Sequence, residues 1–537
     1  MAQFFVECYS SFQDNVIDKT KINVNEDYFG ILNMTTISCS VIEKELDFIF
    51  VIDRSGSMDD KCGDGRSKIQ HIIHTLKNMI VYFHDNCHSI KTNITVFAFD
   101  DSFTKIVDRS LVNEENIAKI INDITKIYPN GLTDIEKALK EVGIYIREIQ
   151  NEHPNNIINH IFMTDGEVTK GSTKINKLKK MVNGNVMNAF IGFGIDHDST
   201  LLNHISEYKN SSYHFIDAIE RSGLVYGEIL HGVLYKLLTD VEIHITDGLV
   251  YNYKTNKWCE HLFVGDIVGE ANKVFHIVSN NPERCSIHLS YNYMNEPNIL
   301  AVLPAGNVDN YSKYIYRQRT LQMLYDVKEY HALTKKNICS TIDLDSSTID
   351  LDSSNIDLDS STIDDFINFQ TNSLRSKHDK IKKDLIGLFK EMKEYMTNNG
   401  LDDDNFMKNL CDDIYITHRT FGSKYGSMYS CARQTSQGTQ RCYTVNQTPD
   451  DLNSNVHNRG ILFSRNNRNL NLDLDGDLDG DLDGDLDLDD TMTAYEVSDF
   501  TRTPYLSQTA TILMNEISGD LFENMDNDDE YYKTQIL

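Results

Sequence analysis

Five residues, Phe48-Ile49-Phe50-Val51-Ile52, run apolar without a break and end on the polar stretch Asp53-Arg54-Ser55-Gly56-Ser57. The run is short, β-branched and aromatic, which marks a strand buried on both faces, the state of a central parallel strand. Ile69, Ile72, Ile73, Leu76, Met79, Ile80 and Phe83 then recur at three- and four-residue steps, the spacing of an amphipathic helix. A strand, a polar loop and a helix in that order put the loop at the carboxyl end of the strand. Open α/β sheets hold their ligands there.

The loop has a definite chemistry. One carboxylate and two hydroxyls at alternate positions turn three oxygens toward one point. Hard cations such as Mg²⁺ take oxygen ligands at about 2.0–2.1 Å in near-octahedral geometry. Two further donors are expected from other strand ends. Asn130-Gly131-Leu132-Thr133-Asp134 opens a helix (Ile135, Ala138, Leu139) and supplies Thr133, and the apolar stretch Ile157 to Met163 runs into Thr164-Asp165-Gly166 and supplies Asp165. Ile94 to Phe99 and Val186 to Phe193 are further strands, and their alternation with helices predicts a doubly wound, mostly parallel sheet.

With these residues in hand, the stretch resembles the von Willebrand factor A family. The metal-ion-dependent adhesion site of that family is Asp-x-Ser-x-Ser, then a Thr, then an Asp-Gly after a strand. Asp53, Ser55, Ser57, Thr133 and Asp165 match it position by position. The resemblance implies that Mg²⁺ (or Mn²⁺) is held with one coordination position open, and that an Asp or Glu of a partner protein fills it. Asp53 and Asp165 would anchor and balance the ion, Ser55 and Ser57 coordinate through hydroxyls, and Thr133 engage when a ligand is bound. Arg54 and Met58 are expected on the rim.

Other chemistries find less support. Gly166 to Thr173 imitates a phosphate loop but carries Ser172 where a Lys is required, and Gly192-x-Gly194 lacks a third glycine. No RING-type cysteine pattern is present, so the chain itself is expected to be no enzyme. His84-x-x-Cys87-His88 reads as a helix end with a buried thiol and exposed imidazoles rather than as a zinc site. The formal net charge of −30 lies largely in two Asp-rich repeats and the final residues, and it disfavours a nucleic-acid partner. The first residues lack a basic start and a long apolar core, no stretch is long enough to span a membrane, and the ten cysteines have no CxxC spacing. Together these predict a cytoplasmic protein.

Along its 537 residues the chain divides by pattern. Residues 1–45 carry strand signals, and the resemblance has them contributing to a later sandwich. Residues 46–220 are the A domain. From 221 to 305 apolar residues alternate with polar ones, as in Val241, Ile243 and Ile245 against Glu242 and His244, which predicts an antiparallel β-sandwich whose Glu and His are solvated. Residues 306–420 return to helical spacing, interrupted at 340–365 by an acidic, Ser-rich repeat read as a disordered insertion. Residues 421–537 read as a low-complexity tail, locally basic at Arg433, Arg441, Arg465 and Arg468. An Asp/Leu/Gly repeat at 471–490 there is suited to weak Ca²⁺ condensation. The expected function is a Mg²⁺-dependent assembly or scaffold module. Two alternatives stay open: a substrate-recruiting subunit of an enzyme complex such as a ubiquitin ligase or ATPase, and a calcium-responsive structural protein.

Overall fold

The computed structural model describes residues 6–41, 44–62, 65–88, 90–194, 197–216, 222–294, 296–305, 310–346, 360–423, 425–443 and 503–519. The chain separates into two compact units. One comprises 1–315, 435–445 and 502–537, and the other 316–434 and 446–501. The repeat at 471–490, with its calcium reading, lies outside the described residues, as do Arg465, Arg468 and the middle of the 340–365 repeat.

The first unit opens with β1 (Val6–Phe12), a short helix α1 (Lys19–Ile22) and β2 (Tyr28–Thr36), then enters the A domain. That domain is β3 (Leu46–Asp53), α2 (Lys68–Asn86), β4 (Thr92–Phe99), β5 (Phe103–Leu111), α3 (Ile117–Thr125), α4 (Ile135–Glu152), β6 (Ile157–Thr164), α5 (Ile175–Lys179), β7 (Met187–Phe193), α6 (Ser199–Ser206), β8 (Ser211–Ile216) and α7 (Ser222–Leu234). Its sheet has the order β5-β4-β3-β6-β7-β8, parallel except for the edge strand β5. Every residue of β3 and β4 is buried, which is why both are dominated by apolar residues rather than alternating with polar ones. From β3 the chain goes to one side, to β4, and later returns to pair β6 on the other side. The order therefore reverses between β3 and β6, and their carboxyl ends flank the crevice that ligands use.

Helix α7 falls inside the stretch read as period-two from residue 221, so the sandwich strands begin only at Lys236. The reason is burial on all sides: Val225, Tyr226, Ile229, Leu230, Val233 and Leu234 are all interior, and a helix covered all round has no polar stripe to betray its period. Part of that cover comes from the far end of the chain, where α12 (Gln508–Ser518, the last helix described) buries Ala510, Leu513, Met514 and Ile517. Asn78 of α2 donates from its side-chain amide to the carbonyl of Gly519, 2.8 Å. A Cβ on Gly227 would lie 2.6 Å from Cα of Met514, and one on Gly223 2.5 Å from Cα of Ser518. Gly227→Val is therefore expected to push α12 off and lower stability by about 1–3 kcal/mol. Limited proteolysis reads this as new cleavage near residue 505, and an uncut variant would contradict it.

The sandwich follows. Its strands are β9 (Lys236–Thr246), β10 (Leu249–Asn252), β11 (Lys257–Cys259), β12 (His261–Val268), β13 (Asn272–Ser279), β14 (Ser286–Tyr293), β15 (Glu296–Ala301) and β16 (Leu303–Pro304). One sheet is β11-β10-β13-β2-β1-β16 and the other β12-β9-β14-β15. Leu32 and Met34 of β2 share one core with Val241, Ile243, Ile245, Ile277, Ile287 and Leu289. The chain's start thus completes the sandwich.

The second unit is helical: most of α8 (Tyr311–Ser346), then α9 (Ser360–Asn398), α10 (Asn405–Thr420) and the larger part of α11 (Gly426–Thr439). Leu385, Leu388, Phe389, Met392, Leu410 and Ile414 form its apolar core. Helix α11 occupies the start of the stretch read as a low-complexity tail. Arg433, taken there as part of a basic patch, is fully buried with its Nη1 2.6 Å from Oδ1 of Asp413. A composition rich in Gly, Ser, Gln and Thr conceals a helix whose interior is partly polar.

Candidate metal-ion-dependent adhesion site

Asp53 ends β3 and Asp165 follows β6, so their side chains meet at the reversal point of the sheet, both fully buried. Asp53 is held through both oxygens. Its Oδ1 accepts the N–H of Ser55 at 2.8 Å, and its Oδ2 accepts the Thr164 hydroxyl at 2.5 Å. The hydroxyls of Ser55 and Ser57 are 3.1 Å apart, and that of Ser57 donates to Oδ1 of Asp165 at 2.8 Å. Thr133 arrives from the loop before α4. A Cβ on Gly166 would lie 3.4 Å from its hydroxyl oxygen and 3.5 Å from that of Ser57, which puts both hydroxyls at the end of β6. The structure thus brings all five sequence-identified residues together.

The loops are pinned by their backbones. Arg54 N–H donates to Phe99 carbonyl at 2.8 Å, Asn130 N–H to Arg54 carbonyl at 2.6 Å, and Gly56 N–H to Gly131 carbonyl at 3.2 Å. Gly131 has φ +76°, and a Cβ there would meet Oδ1 of Asp101 at 2.9 Å, so only glycine fits. The Thr133 backbone is clamped on both sides: its N–H donates to the Thr169 hydroxyl at 2.8 Å, and its carbonyl accepts the N–H groups of Thr169 and Lys170. Its own hydroxyl makes no hydrogen bond among the described residues.

Three participants were not apparent in the sequence. Lys68, the first residue of α2, places Nζ 2.7 Å from Oδ2 of Asp165 and 3.1 Å from Oδ2 of Asp60. Burial works against its charge, but the two carboxylates outweigh this and raise its pKa. Thr164 holds Asp53, as described. Asp100, at the end of β4, engages Nε of Arg54 at 3.0 Å. A third acidic residue directly after an apolar strand was the available signal for Asp100; nothing local marks Lys68. The rim assignments change accordingly. Met58 is completely buried, because the turn Gly56–Asp59 rolls it into the core, and Arg54 is occupied by Asp100.

The electrostatics favour a cation. Burial, with Asp165 adding a smaller push, raises Asp53 to about 6 against the hydrogen bonds from Thr164 and Ser55. Asp53 has no ion pair among the described residues, and Lys68 is bonded to Asp165. Two buried carboxylates thus face a single ammonium. All five donors are hard oxygens, a set that suits Mg²⁺ or Mn²⁺. The site fits a divalent ion.

Comparison with known proteins agrees with this architecture. Residues 47–223 match the family described as von Willebrand factor type A domain. That stretch, a third of the chain, is a von Willebrand factor type A domain. It is 27% identical over 228 residues to human inter-alpha-trypsin inhibitor heavy chain H2, a match covering 41% of this chain and 23% of that protein, so it spans under a quarter of that relative's length. Among solved structures it is similar to a von Willebrand factor type A protein from Catenulispora acidiphila (14% identity, 62% of this chain and 82% of that one, TM-score 0.42). It is also similar to the ArnB paralog VWA2 from Sulfolobus acidocaldarius (11% identity, 81% and 98%, TM-score 0.44). A third is proximal thread matrix protein 1 from the mussel byssus, described with a zinc-occupied MIDAS motif (18% identity, 37% and 47%, TM-score 0.28).

No helix among the described residues is long and apolar enough to cross a membrane. None of the nine cysteines whose side chains are described is in a disulfide. Cys87 is buried, and His84 pairs with Asp85 at 2.6 Å.

Proposed function

We propose that this chain is a Mg²⁺-dependent protein-binding module with an assembly or scaffold role, in which Mn²⁺ can replace Mg²⁺. Asp53, Ser55, Ser57, Thr133 and Asp165 hold the ion, and an Asp or Glu side chain of a partner completes its coordination. The observation that carries this reading is Asp53, buried and without an ion pair among the described residues, grouped with four further oxygen donors. When bound, the ion supplies a Lewis-acid position that a carboxylate can enter. The chain's residues do the rest: Thr164 and the Ser55 N–H fix Asp53, Ser57 fixes Asp165, and Thr133 keeps a free hydroxyl. The lack of a disulfide among the described cysteines supports a reducing compartment, and we place the protein in the cytoplasm. We assign the site a binding role and no catalysis.

The test is a fluorescent peptide with one central Glu, titrated with the full chain. Binding in Mg²⁺ that is lost in EDTA, with Glu→Gln in the peptide and with Thr133→Ala is the expected result. Binding indifferent to EDTA would overturn the reading.

The pH dependence follows from Asp53. With its folded pKa raised to about 6 from an ordinary 3.8, Asp53 is protonated in the folded protein below pH 6 and competes with the ion. Apparent Mg²⁺ affinity is therefore expected to fall as pH drops from 7 to 5. The metal-free fold moves the other way. Between 3.8 and 6 the folded state holds more protons than the unfolded one, so this group makes the fold more stable as pH falls. Thermal melts with and without Mg²⁺ across that range would separate the two trends.

A further inference from the structure

The outer face of the four-stranded sandwich sheet carries a row of imidazoles. In the ladder, His261 of β12 is directly opposite His244 of β9, and His244 is directly opposite His288 of β14. Side chains two apart share a face, so Glu242 stands beside His244 on the same side. The residues between, Val241, Ile243 and Ile245, point into the core, which fixes the register and holds the polar set outward. His244 and His261 are half exposed, with 47% and 51% of their side chains accessible.

The three groups converge at ligand distances. Oε2 of Glu242 is 3.2 Å from Nε2 of His261 and 3.6 Å from Nε2 of His244. The ligand atoms of all three lie within 4.8 Å of one another, and the two rings are 4.6 Å apart at 37°. Two atoms bound to one tetrahedral ion at about 2.0–2.1 Å are separated by roughly 3.4 Å. The observed spacings therefore bracket an edge of such a tetrahedron. Among the described residues no other cluster of His, Cys, Asp and Glu is so disposed.

We propose that Glu242, His244 and His261 form a second metal site, for a zinc-class divalent cation, on the open face of the sandwich. Two imidazoles and one carboxylate select Zn²⁺ over Mg²⁺, because nitrogen donors suit the later first-row ions and Mg²⁺ keeps to oxygen. Three protein ligands leave the fourth position to water or to a ligand from outside, and exposure on one side gives it access. His288, next in the row, is the residue placed to follow if the ion shifts toward β14. The hydroxyl of Ser290, 3.1 Å from Nε2 of His244, yields that lone pair when the ion binds. The site joins β9 to β12, so occupancy fastens the edge strand of the sheet.

The inference is independent of the adhesion site, and the experiment keeps them apart. Zn²⁺ is titrated by calorimetry into the full chain bearing Asp53→Ala, with excess Mg²⁺ present, and into the same chain with His244→Gln and His261→Gln added. One Zn²⁺ per chain in the first, lost in the second, with unchanged circular dichroism, is the expected result. Equal Zn²⁺ uptake by both, or none by either, would overturn the assignment. Co²⁺ in place of Zn²⁺ should give a visible d–d band that the two His substitutions remove in the otherwise unaltered chain. A thiolate-to-cobalt charge-transfer band instead would place the ion on cysteine and equally overturn it.

Discussion

Lys68→Met is expected to raise Mg²⁺ affinity and to lower the stability of the metal-free protein. Both effects come from one contact, Nζ of Lys68 at 2.7 Å from Oδ2 of Asp165, with the lysine side chain 12% exposed and the carboxylate wholly buried. The ammonium holds a ligand oxygen and adds positive charge where a dication must sit. Two unit charges about 4 Å apart interact by about 4 kcal/mol at an effective dielectric near 20, so a rise of roughly tenfold or more in affinity is a modest expectation. Without the ion, the variant leaves Asp165 buried and unneutralised, a loss of about 3–5 kcal/mol by analogy with broken buried pairs. Mg²⁺ should then rescue the variant's melting temperature by more than it shifts the wild type. A variant with weaker Mg²⁺ binding would show that Lys68 supports the ion rather than competing with it.

The second large effect belongs to the helical unit. Arg433→Leu removes the partner of Asp413 in a place where neither side chain reaches water. Breaking such a pair from one side costs about 3–5 kcal/mol, chiefly because a lone buried charge remains. Arg433→Leu combined with Asp413→Leu should recover part of that loss, since neither charge is then buried without the other. Urea unfolding of the full chain, followed by circular dichroism, reads both. If the single variant unfolds at the wild-type midpoint, the pair does not hold α10 to α11.

The two cases differ in how visible they were in the amino-acid sequence. The five oxygen donors are legible because each sits at or just after the end of an apolar strand, or just before a helix. Lys68 is not legible. Its reach to Asp165 goes with two contacts to Asp60, one from its Nζ and one from its backbone N–H, that no local pattern announces. Arg433 was read as solvated because charge normally is, and only the surrounding packing shows a buried partner. Helix α7 was missed for the opposite reason: with apolar residues on every side, it shows no period at all.

The His261–His244–His288 row illustrates a third limit. Each histidine alternates correctly with core residues in its own strand, so each alone reads as a solvated face. Their convergence rests on the pairing of three strands, which the sequence of any one strand does not contain. The same holds for α12, which lies in the stretch read as a low-complexity tail and whose seat against Gly223 and Gly227 no local pattern contains.

The most direct measurement is calorimetric titration of Mg²⁺ into the full chain at pH 7.5, wild type beside Asp53→Ala. One Mg²⁺ per chain in the wild type and none in the variant is the result this account requires. A wild-type chain that takes up neither Mg²⁺ nor Mn²⁺, even with a glutamate peptide present, would contradict it and leave the five oxygens as a hydrogen-bonded loop junction.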